Sequence, residues 1–128
     1  MILLDTHAAI WLALSPERLS RSAHSAIEDN VTAGLALSAQ SLYEVAWLVV
    51  RRRIRPNQPL DTFIHNLQAR FTVYPLTPAI AVTAAQFPST FPSDPFDRII
   101  AATAIVEGLP LVTADQHIRR SRAVRSLW

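Results

Sequence analysis

A chain of 128 residues is long enough to enclose a hydrophobic core and short for two of them. Half of it is apolar and only 17% is charged, which excludes an intrinsically disordered chain, and the lack of cysteine excludes disulfides, thiolate zinc sites and thiol nucleophiles. The formal net charge of +2 decides nothing, but all 12 basic residues are arginine, the side chain suited to bidentate phosphate contacts and equally the product of a GC-rich genome.

Met1–Leu4 is an apolar run of strand length that ends at Asp5. No basic residues precede it and Asp5 interrupts the apolar stretch early, so it does not read as a signal peptide. Ala8–Leu14 continues as a buried helix broken by Ser15-Pro16, and Ser20 is placed to cap a second helix, Arg21–Asp29, closed by Asn30. Gly34–Ser38 reads as a buried strand and Ala39–Arg53 as a long helix, whose Leu42, Val45, Ala46 and Val49 recur at core-facing spacing. Leu42–Val50 contains Glu44 and is far shorter than a membrane span of about 20 residues, so the expectation is a soluble, cytoplasmic protein with no membrane partner.

Pro56 and Pro59 end that helix, and Leu60–Arg70 forms the next. Thr72–Leu76 is β-branched and aromatic enough for a strand. Thr77-Pro78 and Asp94-Pro95 are cap-plus-proline signals opening helices Ala79–Gln86 and Phe96–Glu107, separated by the loop Phe87–Ser93. Gly108 stops the second of these. Leu109–Thr113 is a strand, Gln116–Arg120 a short helix and Val124–Trp128 a last strand. Apolar strands alternating with helices imply a parallel sheet covered on both faces, in one α/β domain spanning residues 1–128.

Four acids fall on one edge of such a sheet, where ligands of open α/β folds bind. Asp5 ends the first strand, Glu44 lies in the early turns of the helix after the second, and Asp115 lies just beyond Leu109–Thr113. Asp97 opens the helix that feeds that strand, and a helix feeding a parallel strand starts near the strand's carboxyl end. Carboxylates crowded in one cleft either raise each other's pKa or recruit cations. Oxygen-only ligation suits Mg²⁺ or Mn²⁺, and a pair of such ions is a clamp for phosphodiester hydrolysis. With the four set aside as one site, the rest of the chain is strongly basic.

Each acid also has a structural explanation. Asp94 and Asp97 fit a helix cap followed by an acid favoured by the helix dipole, Ser41 and Glu44 match a capping-box spacing although Ser38 is the better-placed cap, and Asp115 is placed to cap the helix after it. Asp5 is hardest to explain this way, because a charge ending a buried strand is costly without a partner. His7 is placed to touch a metal-bound water or a phosphate, although a histidine opening a buried helix is ordinarily a packing residue, and His24, His65 and His117 lack ligand spacing. Arg51, Arg52, Arg53 and Arg55 read first as a helix C-terminus favoured by its dipole, whereas Arg119 and Arg120 follow Asp115 closely enough to guide an RNA backbone.

The blocks Met1–His7 (MILLDTH), Ser38–Glu44 (SAQSLYE), Asp94–Ala104 (DPFDRIIAATA) and Gly108–Asp115 (GLPLVTAD) resemble the PIN-domain family, most closely its VapC-type toxins of bacterial toxin–antitoxin pairs. The resemblance covers essentially the whole chain. It implies a three-layer α/β/α sandwich around a five-stranded parallel sheet of order 3-2-1-4-5. It implies an endoribonuclease dependent on one or two Mg²⁺ or Mn²⁺ ions held by Asp5, Glu44, Asp97 and Asp115, with Thr113 in support. Asp94 is then a helix cap, and Ser41 and Arg98 orient the acids or pair with them. The resemblance further implies a homodimer and a VapB-like antitoxin that covers the cleft.

Two other classes compete. A PIN-like module that binds RNA or protein without cutting would gain nothing from four concentrated acids. A phosphotransferase with Asp5 as nucleophile would want an acid where His7 stands, and the chain has no lysine to steady a phosphoaspartate.

Overall fold

The structure, a computed structural model, describes residues 1–128. Its strands are β1 (Ile2–Leu4), β2 (Leu35–Ser38), β3 (Thr72–Tyr74), β4 (Leu111–Val112) and β5 (Ser126–Leu127). They form one sheet of order β3-β2-β1-β4-β5 with every pairing parallel. The helices are α1 (Thr6–Leu14), α2 (Arg21–Asn30), α3 (Ala39–Val50), α4 (Leu60–Ala69), α5 (Pro78–Ala85), α6 (Pro95–Glu107) and α7 (Gln116–Ser121). A short 3-10 turn, Pro16–Arg18, separates α1 from α2.

Alternation along the strands builds two cores. Ile2, Leu4, Leu35, Leu37 and Val112 pack on one face against α1–α4, through Ala9, Ile27, Val45 and Phe63 among others. Leu3, Ala36 and Leu111 point the other way, onto Ile100, Ala104 and Ile118 of α6 and α7. Ile80 and Ala84 join α5 to Ala102 of α6 outside that layer. The result is the expected three-layer α/β/α sandwich with the expected strand order.

The strands are shorter than expected at several ends, β3 stopping at Tyr74 and β5 spanning only Ser126–Leu127, and three shifted boundaries have a local cause. α1 begins at Thr6 rather than Ala8, because the Asp5 carboxylate accepts from the Ala8 amide and caps the helix. α3 ends at Val50 rather than Arg53: Arg52 turns into the left-handed region (φ 57), Arg52 N–H bonds Val49 O, and Arg53 N–H bonds Leu48 O. That paired closure ordinarily uses glycine. β4 starts at Leu111 rather than Leu109, because the Leu109 amide closes α6 on Ala104 O and Pro110 has no N–H for the ladder. No helix is long and apolar enough to cross a membrane.

Candidate metal centre

Five polar side chains are buried, all hydroxyls, and four of them gather where β1, β2 and β4 end: Thr6, Ser38, Ser41 and Thr113. No buried polar side-chain atom lacks a partner. This polar edge is where the predicted acids lie.

Asp5 leaves β1 with its amide bonded to Val112 O of the adjacent strand, so the β1–β4 crevice fixes its backbone. One carboxylate oxygen accepts from Ala8 N at 2.7 Å. Thr113 is fully buried, and its Oγ1 accepts from Asp115 N at 3.1 Å, which leaves the hydroxyl proton to reach Asp5. A single threonine thus ties two of the acids together. Burial pushes the Asp5 carboxyl above its ordinary range; Thr113, Ala8 and the nearby His7 oppose that shift, and Glu44 adds to it.

Glu44 is half-buried in the second turn of α3. One turn earlier the Ser41 hydroxyl accepts from Thr6 Oγ1 at 2.9 Å, joining the first residue of α1 to α3. Tyr43 and Phe96, the neighbours of Glu44 and Asp97, meet with ring centroids 5.9 Å apart and bring the N-terminal turns of α3 and α6 together. The Asp97 carboxyl is pushed up to about 7, first by burial and then by the charges of Asp94, Asp115, Glu44 and Asp5. The four predicted acids therefore share one electrostatic field. They do not share a coordination sphere as they stand, since no three acidic or histidine side chains lie close enough to hold one ion.

Three of the acids at this edge are helix caps. Asp5 caps α1, Asp94 caps α6 through Phe96 N and Asp97 N, and Asp115 caps α7 through His117 N and Ile118 N. In each, a single oxygen carries every cap bond. Capping and cation binding are compatible roles for Asp5 and Asp115, and a set of hard, mutually repelling oxygens suits a divalent cation. Ser38 occupies the N-cap position of α3, but its hydroxyl donates to Gln40 rather than capping.

Arg98 pairs with no acid, contrary to one of its two expected roles. Its guanidinium donates to the carbonyls of Phe87 (3.0 Å), Pro88 (3.1 Å), Phe91 (3.4 Å) and Pro92 (2.9 Å) and lies 5.9 Å from the centroid of Phe91. It ties the loop ahead of α6 to that helix's first turn, where Asp97 sits. Arg119 and Arg120 are exposed in the last turn of α7. His24 pairs with Glu28 at 3.4 Å, and His65 contacts the Asp61 carbonyl, so neither is drawn to the acids. Sequence reasoning missed Thr6; its only signal was a polar residue directly after a strand-ending acid.

The chain matches the PIN domain over residues 2–123. It is 42% identical to Ribonuclease VapC22 of Mycobacterium tuberculosis over 129 aligned positions, covering 99% of this chain and 98% of that protein. Among solved structures it resembles VapBC2 from Rickettsia felis bound to a promoter DNA fragment, with a TM-score of 0.75, 16% identity, and 98% and 97% of the two chains covered. VapBC-1 from nontypeable Haemophilus influenzae gives a TM-score of 0.74 at 18% identity, covering 98% and 96%. At these identities the structural likenesses establish the fold alone.

Proposed function

Because the chain belongs to the PIN-domain family, we propose that it is an RNA-cleaving hydrolase, the toxin of a toxin–antitoxin pair, acting in the cytoplasm with Mg²⁺ or Mn²⁺. Ribonuclease VapC22 is its relative along nearly its whole length, and its structural neighbours include VapBC proteins and a toxin–antitoxin complex from Klebsiella pneumoniae. A VapB-like antitoxin is the corresponding protein partner, and a homodimer the corresponding assembly. The observation that carries the reading is the placement of Asp5, Glu44, Asp97 and Asp115 on one edge, where burial first and then the charges of Asp94, Asp115, Glu44 and Asp5 raise the Asp97 carboxyl to about 7; a bound cation would offset that repulsion.

Asp5, Glu44, Asp97 and Asp115 would hold one or two ions. When bound, a divalent cation neutralises phosphate charge and polarises the reacting groups for in-line attack by water. The chain supplies orientation. Thr113 points the Asp5 carboxylate and fixes the Asp115 backbone, while Thr6 and Ser41 hold α1 and α3 in register behind Asp5 and Glu44. Asp94 and Arg98 set the first turn of α6, and so the height of Asp97 at the edge. Arg119 and Arg120 are proposed to guide the RNA backbone toward Asp115.

The test is cleavage of total RNA by antitoxin-free protein with Mn²⁺ or EDTA, beside Asp5→Asn and Asp97→Asn. Discrete metal-dependent cuts absent from both folded variants are expected. Folded protein that cuts nothing with Mn²⁺, or an active Asp97→Asn, overturns the assignment. Melting temperature with and without Mn²⁺ separates the non-cutting binder, for which no shift is expected.

A further inference from the structure

A groove of about 530 Å³ runs along α1 from its first turn, bounded on the far side by the segment that follows α3. His7 stands at one end, two residues after Asp5. Arg18, Arg53 and Arg55 also line it, with Trp11 and Asn57, and no carboxylate does. The chain's single ion pair is His24–Glu28, so none of these three arginines is paired with an acid. Their charge is free to act on a ligand, and three unpaired guanidiniums in one groove select a polyanion.

The wall has a second feature. The Arg18 guanidinium lies 4.7 Å from the centroid of Trp11, and Trp128 packs on the same indole at 5.6 Å. A half-buried indole stacked with a guanidinium offers planar surface and in-plane donors together, the combination that accepts a base. The volume falls within the ~300–1,000 Å³ typical of small-ligand sites. His7 lines the groove and lies close enough to act on the Asp5 carboxylate, so the groove is within reach of a nucleotide next to a phosphate held at Asp5.

We propose that the groove is a nucleotide subsite: it takes the base of a residue flanking the cleaved phosphate against the Trp11–Arg18 stack, with Arg53 and Arg55 on the adjoining phosphate. This rests on the RNA-cleaving reading above. It assigns substrate contacts to arginines whose sequence position suggested only a helix terminus. An acidic polypeptide would satisfy the arginines but has less use for the aromatic stack or for continuity with Asp5.

The experiment compares wild type with the Arg53→Gln/Arg55→Gln double variant and with Trp11→Leu, each checked for folding by thermal melting. Two readouts are taken on one fluorescent single-stranded RNA: cleavage kinetics with Mn²⁺, and anisotropy binding in EDTA across a salt series. The expected result is a KM raised about tenfold with kcat nearly kept, and a salt slope of binding shallower by about one to two. Wild type that cuts, with KM and salt slope unchanged in the arginine variant, overturns the subsite and leaves the nuclease standing. If wild type does not cut, binding decides: weakening in the arginine variant supports the groove although the nuclease fails, and unchanged or absent binding overturns it. Arginine variants that bind RNA normally but no longer hold a co-expressed antitoxin also overturn it, in favour of a polypeptide occupant. Should Trp11→Leu fail to fold, the exposed arginines carry the test alone.

Discussion

The hydroxyl of Thr6 donates to the hydroxyl of Ser41 over 2.9 Å, both side chains are buried, and the residues are 35 positions apart in sequence. The bond joins the residue after Asp5 to the turn before Glu44, so it sets how the two acids face each other. Thr6→Val keeps the shape and removes the donor. It should cost about 1–2 kcal/mol in urea denaturation, lower kcat with KM little changed, and raise the Mn²⁺ concentration needed for half activity. Thr6→Ser should restore all three; equal metal dependence in Thr6→Val and wild type would remove the positioning role.

Asp97 makes stability depend on pH when no cation is present. Its carboxyl is raised from 3.8 to about 7 in the folded chain, so the fold binds a proton that the unfolded chain has released. The contribution is complete below about pH 4 and is lost as pH rises through about 7. In EDTA, wild type should therefore lose about 1–2 kcal/mol relative to Asp97→Asn between about pH 5.5 and pH 8, a figure discounted for partial exposure. Urea denaturation at the two pH values measures it, and Mg²⁺ should flatten the difference. Parallel pH profiles for the two proteins would contradict the shared field.

Asp94 and Asp97 stand three residues apart with different tasks, and substitution separates them. Asp94→Asn keeps an acceptor for Phe96 N and Asp97 N and should melt like wild type, whereas Asp94→Ala should lose about 1 kcal/mol. Both should retain cleavage. Asp97→Asn should abolish it while folding normally. Loss of cleavage in folded Asp94→Asn would move Asp94 into the cation site.

Arg98 closes four loop carbonyls with one guanidinium, a geometry that an ammonium cannot copy. Arg98→Lys and Arg98→Gln should each destabilise by about 1–3 kcal/mol and open the segment 87–92 to limited proteolysis. A lysine variant as resistant as wild type would show that the loop holds itself.

Arg52 and Gly108 occupy equivalent left-handed closures, at φ 57 and φ 67. Arg52→Gly should stabilise by about 1 kcal/mol and Gly108→Ala should destabilise by a similar amount, since a Cβ at Gly108 meets nothing within 4 Å and only the backbone resists it. Melting curves of both variants check the pair.

The strand order and the layers were readable because apolar runs alternated with capped helices, and Ser20, Thr77 and Asp94 all cap where their positions suggested. That the four acids fall on one edge of the sheet was an inference from strand ends and helix starts, and in the structure no three of them stand close enough to hold one ion. What stayed hidden depends on side-chain direction. Nothing in the order Asp97-Arg98 says that the guanidinium turns back to the carbonyls of 87–92 rather than to a carboxylate. Thr6 carried no signal of its partner, and its bond to Ser41 shows only once α1 packs on α3. The early end of α3 was hidden because an arginine takes the place where glycine would have announced it.

With a single ion pair, His24–Glu28, in a chain of twelve arginines, cohesion here comes from apolar burial and hydrogen bonds rather than from ion pairs. Outside the acid cluster, ionic strength then acts on cargo more than on the fold. A concentrated salt wash should release any polyanion carried through purification and leave the protein as cooperative in its melting as before.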